Sequence, residues 1–151
     1  MHMKIAKTLL ENYKSLKTLG KNLTKHFKDA YQQLKKELPK RQPGVALMKY
    51  LKRLYDDGKW NTTPYDFNAG GSGASMRSSC IGLVYHQPND RDKLIQVSIE
   101  TSRVTHNSVV GYLGGMTAAL FTSYAIQGIP LKKWPFKLMD LLTSNVIIKF
   151  L

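Results

Sequence analysis

The chain of 151 residues has a single cysteine, Cys80, which excludes an internal disulfide and suits a reducing compartment. No secretory leader pattern opens it, so the sequons Asn22-Leu23-Thr24 and Asn61-Thr62-Thr63 are expected to stay unmodified in a cytoplasmic protein. Acidic residues are scarce, ten Asp and Glu against 23 Lys and Arg, for a formal net charge of +13. They offer no clustered set on one expected face, so a hard cation such as Mg2+ has no evident cage of oxygen ligands. Arginine clusters, zinc-ligand spacings and aromatic strand motifs are missing, which argues against a nucleic-acid-binding module. Internal repeats and low-complexity tracts are missing too. No segment alternates with period 2 between turns, so the expected fold class is all-α.

What is present is enough apolar material, 42% of residues, for one sizeable core, and residues 1–151 are expected to form a single domain. The basic excess is uneven: residues 1–60 hold 15 Lys and Arg against 5 acids, residues 61–151 hold 8 against 5. These lysines alternate with Leu, Tyr and Phe at helical spacing, the pattern of a solvated helix face. Attachment to nucleic acid or a membrane surface is the alternative. Residues 1–57 accordingly read as basic amphipathic helices. Ile5, Leu9, Tyr13 and Leu16 share a face over 2–19, and Gly20 is expected to end that helix. A second helix is expected from an Asn22 N-cap until Pro39 and Pro43, and a third over 44–56 ending at Asp56-Asp57-Gly58, a solvated turn.

Residues 58–73 are too polar and broken for a regular element and read as the ligand loop; residues 74–151 read as a helical core. Helices are expected from about 74 to Pro88 and from an Asp90 N-cap through Leu94, Val97 and Ile99. Between Thr105 and Leu131 there is no Asp, Glu, Lys or Arg, and the stretch is apolar enough to raise a membrane span. Its glycines and hydroxyls, with basic residues on both flanks, fit a buried central helix better. The Gly111 to Gly115 spacing would let neighbouring helices approach closely. A last helix is expected over 131–143.

The run Gly70-Gly71-Ser72-Gly73-Ala74-Ser75-Met76-Arg77 is the strongest chemical signal. Backbone amides without side chains in the way can approach an anion, and the following helix aims its positive dipole end at the same place. A plain turn is the competing reading. Asn107 or Ser108 can cap the apolar helix, with His106 beside it either as a ligand donor or as a capped core histidine. Cys80 reads as a small buried hydrophobe rather than a nucleophile. Arg77 reads as structural, with a carboxylate as one partner it could take.

Phe67-Asn68 before GGSGASMR, then Cys80-Ile-Gly-Leu83, Leu94-Ile-Gln-Val-Ser-Ile-Glu100, Ser102-Arg-Val-Thr-His106, and Gly111-Tyr-Leu-Gly114 through Ala119-Leu-Phe-Thr122 follow one another in a fixed order. Collinear over about residues 67–143, they resemble the ADP-ribosylglycohydrolases, most closely the ADP-ribosylarginine hydrolase branch. The resemblance implies an orthogonally packed helical bundle that binds ADP-ribose over two magnesium ions and hydrolyses the N-glycosidic bond to a modified arginine. It implies that Gly70, Gly71, Ser72, Gly73 and Ala74 cradle the diphosphate and adjoining ribose, and that His106 touches the same ligand. Asn68 and Ser72 add side-chain contacts, and Tyr65 or Phe67 stacks on adenine. Ser72 stands where some relatives have asparagine or cysteine.

The same resemblance implies metal motifs, Asp-Asp-Thr ahead of a helix beginning Met-His and Asp-x-Asp-(Ser/Thr) near the C-terminus. Met1-His2-Met3 resembles the start of that helix, and the chain reaches Leu151 without either motif. It is therefore expected to be an incomplete domain that keeps the ADP-ribose loop without the magnesium ligands, with no catalytic residue of its own. An inactive ADP-ribose-binding or structural remnant is the alternative. Self-association through exposed core is expected, and partners among nucleic acids or membranes are not.

Overall fold

Apolar residues recurring every three or four positions build seven α-helices among the described residues of this computed structural model, which are 1–11, 13–38, 40 and 42–150. They are α1 (His2–Leu10), α2 (Leu16–Glu37), α3 (Val45–Asp57), α4 (Ser75–Val84), α5 (Arg91–Arg103), α6 (Val109–Ile126) and α7 (Trp134–Thr143). Short 3-10 turns occupy Pro88–Asp90, Leu131–Lys133 and Ile148–Phe150, and no strand occurs among the described residues.

The N-terminal boundaries differ from those the sequence suggests. The first helix stops at Leu10, and the second starts at Leu16 with Ser15 as N-cap, its hydroxyl accepting the Thr18 N–H at 3.2 Å. Asn22 is therefore not a cap, and Gly20 lies inside α2 instead of ending a helix. Gly20 is needed there for space: a Cβ would sit 1.9 Å from Trp60 Nε1. The break expected at Pro39 lies outside the described residues. At the far end of α3, Gly58 takes φ 68° and donates its N–H to the Leu54 carbonyl, as expected of a helix-ending glycine. Asp56 and Asp57 there pair with Lys52 and Arg53, one turn back on the exposed face. Asp90 occupies the N-cap of α5 without a side-chain cap bond.

The core runs from α1 (Ile5, Leu9) through α2 (Leu19, Leu23, Phe27, Tyr31) and α3 (Leu51, Leu54) to α4 (Ile81), α5 (Leu94, Ile95, Ile99) and α6 (Met116, Leu120). Burying each such side chain contributes about 1.5–3 kcal/mol. Lys17, Lys21, Lys25, Lys35 and Lys36 occupy the exposed face of α2, the solvated pattern expected. Helix α6 is long and apolar enough to cross a membrane, yet here it packs on α4, α5 and α7.

Contact between α4 and α6 is close because small residues face each other. A Cβ on Gly82 would lie 2.2 Å from the Ala119 carbonyl oxygen, and one on Gly115 would lie 2.1 Å from Ser102 Oγ. Gly111 likewise admits the Ala69 and His106 carbonyls, each 2.6 Å from where its Cβ would be. In an open helix a Gly→Ala change stabilises by up to about 1 kcal/mol. At position 82 the obstacle is backbone and cannot swing away, so Gly82→Ala is expected to destabilise by about 1–3 kcal/mol, read as a lower urea midpoint. An unchanged or higher midpoint would contradict the seam described here.

Candidate functional site

The loop between α3 and α4 crosses the N-terminus of α6 and is held by one acidic residue. Asp66 donates its N–H to the Asn107 carbonyl (2.9 Å), and its own carbonyl accepts the Ala69 N–H (2.9 Å). Its carboxylate accepts the Asn68 N–H at 3.0 Å, the Lys49 ammonium at 2.9 Å, and the Tyr50 hydroxyl. Hydrogen bonds from Tyr50, Lys49 and the Asn68 amide hold its carboxyl at about 2. Thr63 adds a further tie, its hydroxyl donating to the Val104 carbonyl at 3.0 Å and its carbonyl accepting from Asn107 Nδ2 at 2.7 Å.

Beyond Asp66 the glycine run turns into α4. Gly71 and Ser72 are exposed, Gly70 and Gly73 half-buried, and Ala74 fully buried. None of these glycines has positive φ, so their missing side chains serve close approach rather than a special backbone turn. A Cβ on Gly73 would lie 2.8 Å from His106 Nε2, and one on Gly71 3.9 Å from the same atom. Gly70 faces Ser108 and Val110 at ordinary contact distance. The Ser72 and Ala74 carbonyls start the helix, accepting the N–H groups of Met76 (3.0 Å) and Arg77 (3.2 Å).

His106 is buried, with Nδ1 2.8 Å from Thr105 Oγ1 and the Nε2 side of its ring against Gly73. Burial, and secondarily the charge of Arg77, pushes its pKa down from 6.5 to about 4, so the imidazole is neutral at physiological pH. At the start of α6, Ser108 provides the cap, accepting the Gly111 N–H at 3.1 Å; the Asn107 side chain turns instead to Thr63 and Arg103.

Arg77 is fully buried and takes no carboxylate. Its guanidinium donates to the carbonyls of Gly73 (3.1 Å), Thr101 (3.0 Å) and Ser102 (3.4 Å), and its centre lies 5.6 Å from the centroid of the Phe27 ring. The loop's last glycine is thereby tied to the end of α5. Burial lowers the Arg77 pKa to about 10, which leaves it cationic at neutral pH. Cys80 is buried, donates to the Arg77 carbonyl, and is pushed up to about 11 by burial, as befits an inert thiol.

Of the sequence-derived candidates, the structure brings Gly71 and Gly73 together with His106; Gly70 faces Ser108 and Val110 instead, and Ala74 is buried at the start of α4. Asn68 and Ser72 share the loop with exposed side chains, and Tyr65 and Phe67 stand 57% and 83% exposed on its approach. Asp66, with its anchors Lys49 and Tyr50, was not among the candidates. The Asp66-Phe67-Asn68 sequence is a local turn signal that could have marked it, whereas its partners on α3 leave no such trace. The acidic residues do not fit a magnesium site: among the described residues no three His, Cys, Asp or Glu side chains converge where a metal could be held.

The fold and this loop define an all-helical domain that presents a side-chain-poor loop, backed by a neutral histidine, at the start of a helix. The chain belongs to the ADP-ribosylglycohydrolase family, whose model matches residues 1–145. It is 40% identical over 128 residues to ADP-ribosylhydrolase ARH1 of Dictyostelium discoideum, covering 81% of this chain and 33% of that protein. A protein of Acanthamoeba polyphaga mimivirus described as an ADP-ribosyl glycohydrolase is 36% identical over 125 residues, 83% of this chain and 24% of its own length. The chain thus spans a third or less of the curated relatives it matches.

The depressed His106 pKa has a definite sign. Between about pH 6.5 and 4 the unfolded state binds a proton that the folded state refuses, so the stability His106 contributes is complete above 6.5 and lost as pH falls to 4. Urea midpoints are expected to fall across that window, less steeply in His106→Gln. Asp66 stays ionised in the folded state throughout it and its unfolded carboxyl takes up protons only toward pH 4, so Asp66→Asn is expected to lower the midpoint while leaving the slope above about pH 5 unchanged. An identical slope in His106→Gln would show that His106 is not the group responsible.

Proposed function

We propose that this chain binds the ADP-ribose of ADP-ribosylated arginine, as the ligand-loop portion of a magnesium-dependent hydrolase that cleaves the N-glycosidic bond to arginine. Gly70, Gly71, Ser72, Gly73 and Ala74 receive the diphosphate and adjoining ribose, with Asn68 and Ser72 contributing side chains. The observation that carries this reading is the neutral His106 ring packed against Gly73 with Nε2 also near Gly71. Thr105 Oγ1 engages Nδ1 at 2.8 Å, which leaves Nε2 as the ring nitrogen facing the loop, where the uncharged imidazole would hydrogen-bond the ligand. Tyr65 or Phe67, both exposed, stacks on the adenine base in this reading. Membership of the family and the likeness to a protein named as an ADP-ribosylhydrolase support the substrate class.

No bond-breaking step is assigned to a residue of this chain; among the described residues no three His, Cys, Asp or Glu side chains converge. A non-catalytic ADP-ribose-binding module is the second reading. In both readings the basic face of α2 is solvated surface rather than a nucleic-acid or membrane site, and the setting is cytoplasmic. Exposed apolar side chains such as Leu131, Phe136 and Met139 support self-association.

Titration calorimetry with ADP-ribose is expected to give binding that does not require Mg2+ and weakens at least tenfold in His106→Ala and Gly71→Val. No binding by the parent chain would overturn the proposal. Release of ADP-ribose from modified arginine by this chain alone is expected to be negligible; magnesium-dependent release at enzyme-like rates would remove the binding-module reading.

A further inference from the structure

A cavity of about 200 Å3 opens beside the same loop and is lined by Trp60, Asn61, Thr63, Glu100, Arg103 and Asn107. Asn107 lines it while its neighbour His106 packs against the glycine loop, so the two places share one helix junction. Glu100 and Arg103 sit three residues apart on α5 and project from the same side. Among the described residues no ion pair joins Glu100 to Arg103, although the Arg103 charge acts on Glu100. Arg103 donates from Nε to Asn107 Oδ1 at 3.1 Å, and its guanidinium carbon lies 5.8 Å from the centre of the Tyr112 ring. Asn107 is fixed in turn by its bond to the Thr63 carbonyl. Glu100 is left half-buried, with no hydrogen bond or ion pair among the described residues, and burial raises its pKa against the opposing pull of Arg103.

A half-buried carboxylate without a donor is stabilised by a ligand that brings both positive charge and N–H groups. A metal ion is a poor match, since Glu100 is the only acidic side chain lining the cavity. An anion would meet Glu100 directly, while Arg103 is already engaged. A planar cation with several donors suits a carboxylate flanked by an indole and side-chain oxygens. The geometry points to a guanidinium-binding subsite at Glu100, walled by Trp60 and Thr63, that takes an arginine side chain of the polypeptide carrying the ADP-ribose. The identity of that carrier rests on the function proposed above; the guanidinium chemistry does not.

Methylguanidinium chloride titrated into 15N-labelled protein, against NaCl at equal ionic strength, tests this. Saturable shifts of the Trp60 indole N–H and the Asn107 side-chain amide are expected, at least tenfold weaker in Glu100→Gln and retained in Gly71→Val. Absence of saturable shifts, or equal affinity in a folded Glu100→Gln, would overturn the subsite. Asn61→Lys, at an exposed position, brings a competing ammonium to the cavity and is expected to weaken the probe even if Glu100→Gln does not fold; unchanged binding there also counts against it. ADP-ribose titrated separately is read at Gly71 and His106, so methylguanidinium binding without ADP-ribose binding defeats only the ligand-loop reading. An ADP-ribosylated peptide with a second arginine is expected to bind tighter than one with norleucine there, the difference vanishing in Glu100→Gln. Equal binding would remove the substrate as the source of the guanidinium.

Discussion

Arg77 holds the site together. Its guanidinium is enclosed between the Phe27 ring and three carbonyls, those of Gly73, Thr101 and Ser102, and so joins α2, the glycine loop and the end of α5 around one charge. A buried cation persists only where donors find acceptors, and a helix C-terminus offers carbonyls with the favourable dipole sign. Lysine could not bridge these directions, because its single ammonium lacks the planar spread of the guanidinium. Nε is left without a partner, a cost the other bonds and the ring contact outweigh.

That arrangement requires α4, α5 and α6 to lie unusually close, which the small residues allow. Gly82 against Ala119, Gly115 against Ser102 and Gly111 against the Ala69 and His106 carbonyls leave no room for a methyl group. Close approach of α6 carries His106 onto Gly73, and burial there keeps the imidazole neutral. Packing first, and the Arg77 charge second, therefore set the charge state of the group proposed to meet the ligand.

The loop is held at its two ends by opposite means. Its upstream part is fastened by Asp66 through Lys49, Tyr50 and the Asn68 amide, a polar anchor near solvent; its downstream part is fastened by the buried Arg77. Between them Gly71 and Ser72 remain exposed. Several acidic residues serve such local ties: Asp66 to the loop, Asp56 and Asp57 along α3, Asp92 to Lys149.

Amphipathic period and turn chemistry determined the all-α class, the end of α3, the cap of α6 and the irregular glycine-rich segment before α4, because these depend on residues within a few positions of one another. Collinear motifs determined the family for the same reason, being local patterns in a fixed order. Gly20 misled because a glycine that ends a helix and one that admits a distant indole look alike until Trp60 is placed beside it. Only the tertiary structure decided that Arg77 binds backbone carbonyls and that Asp66 anchors the loop. Each of those outcomes depends on partners 16 to 50 positions away or on the depth of burial, which no short window of sequence contains.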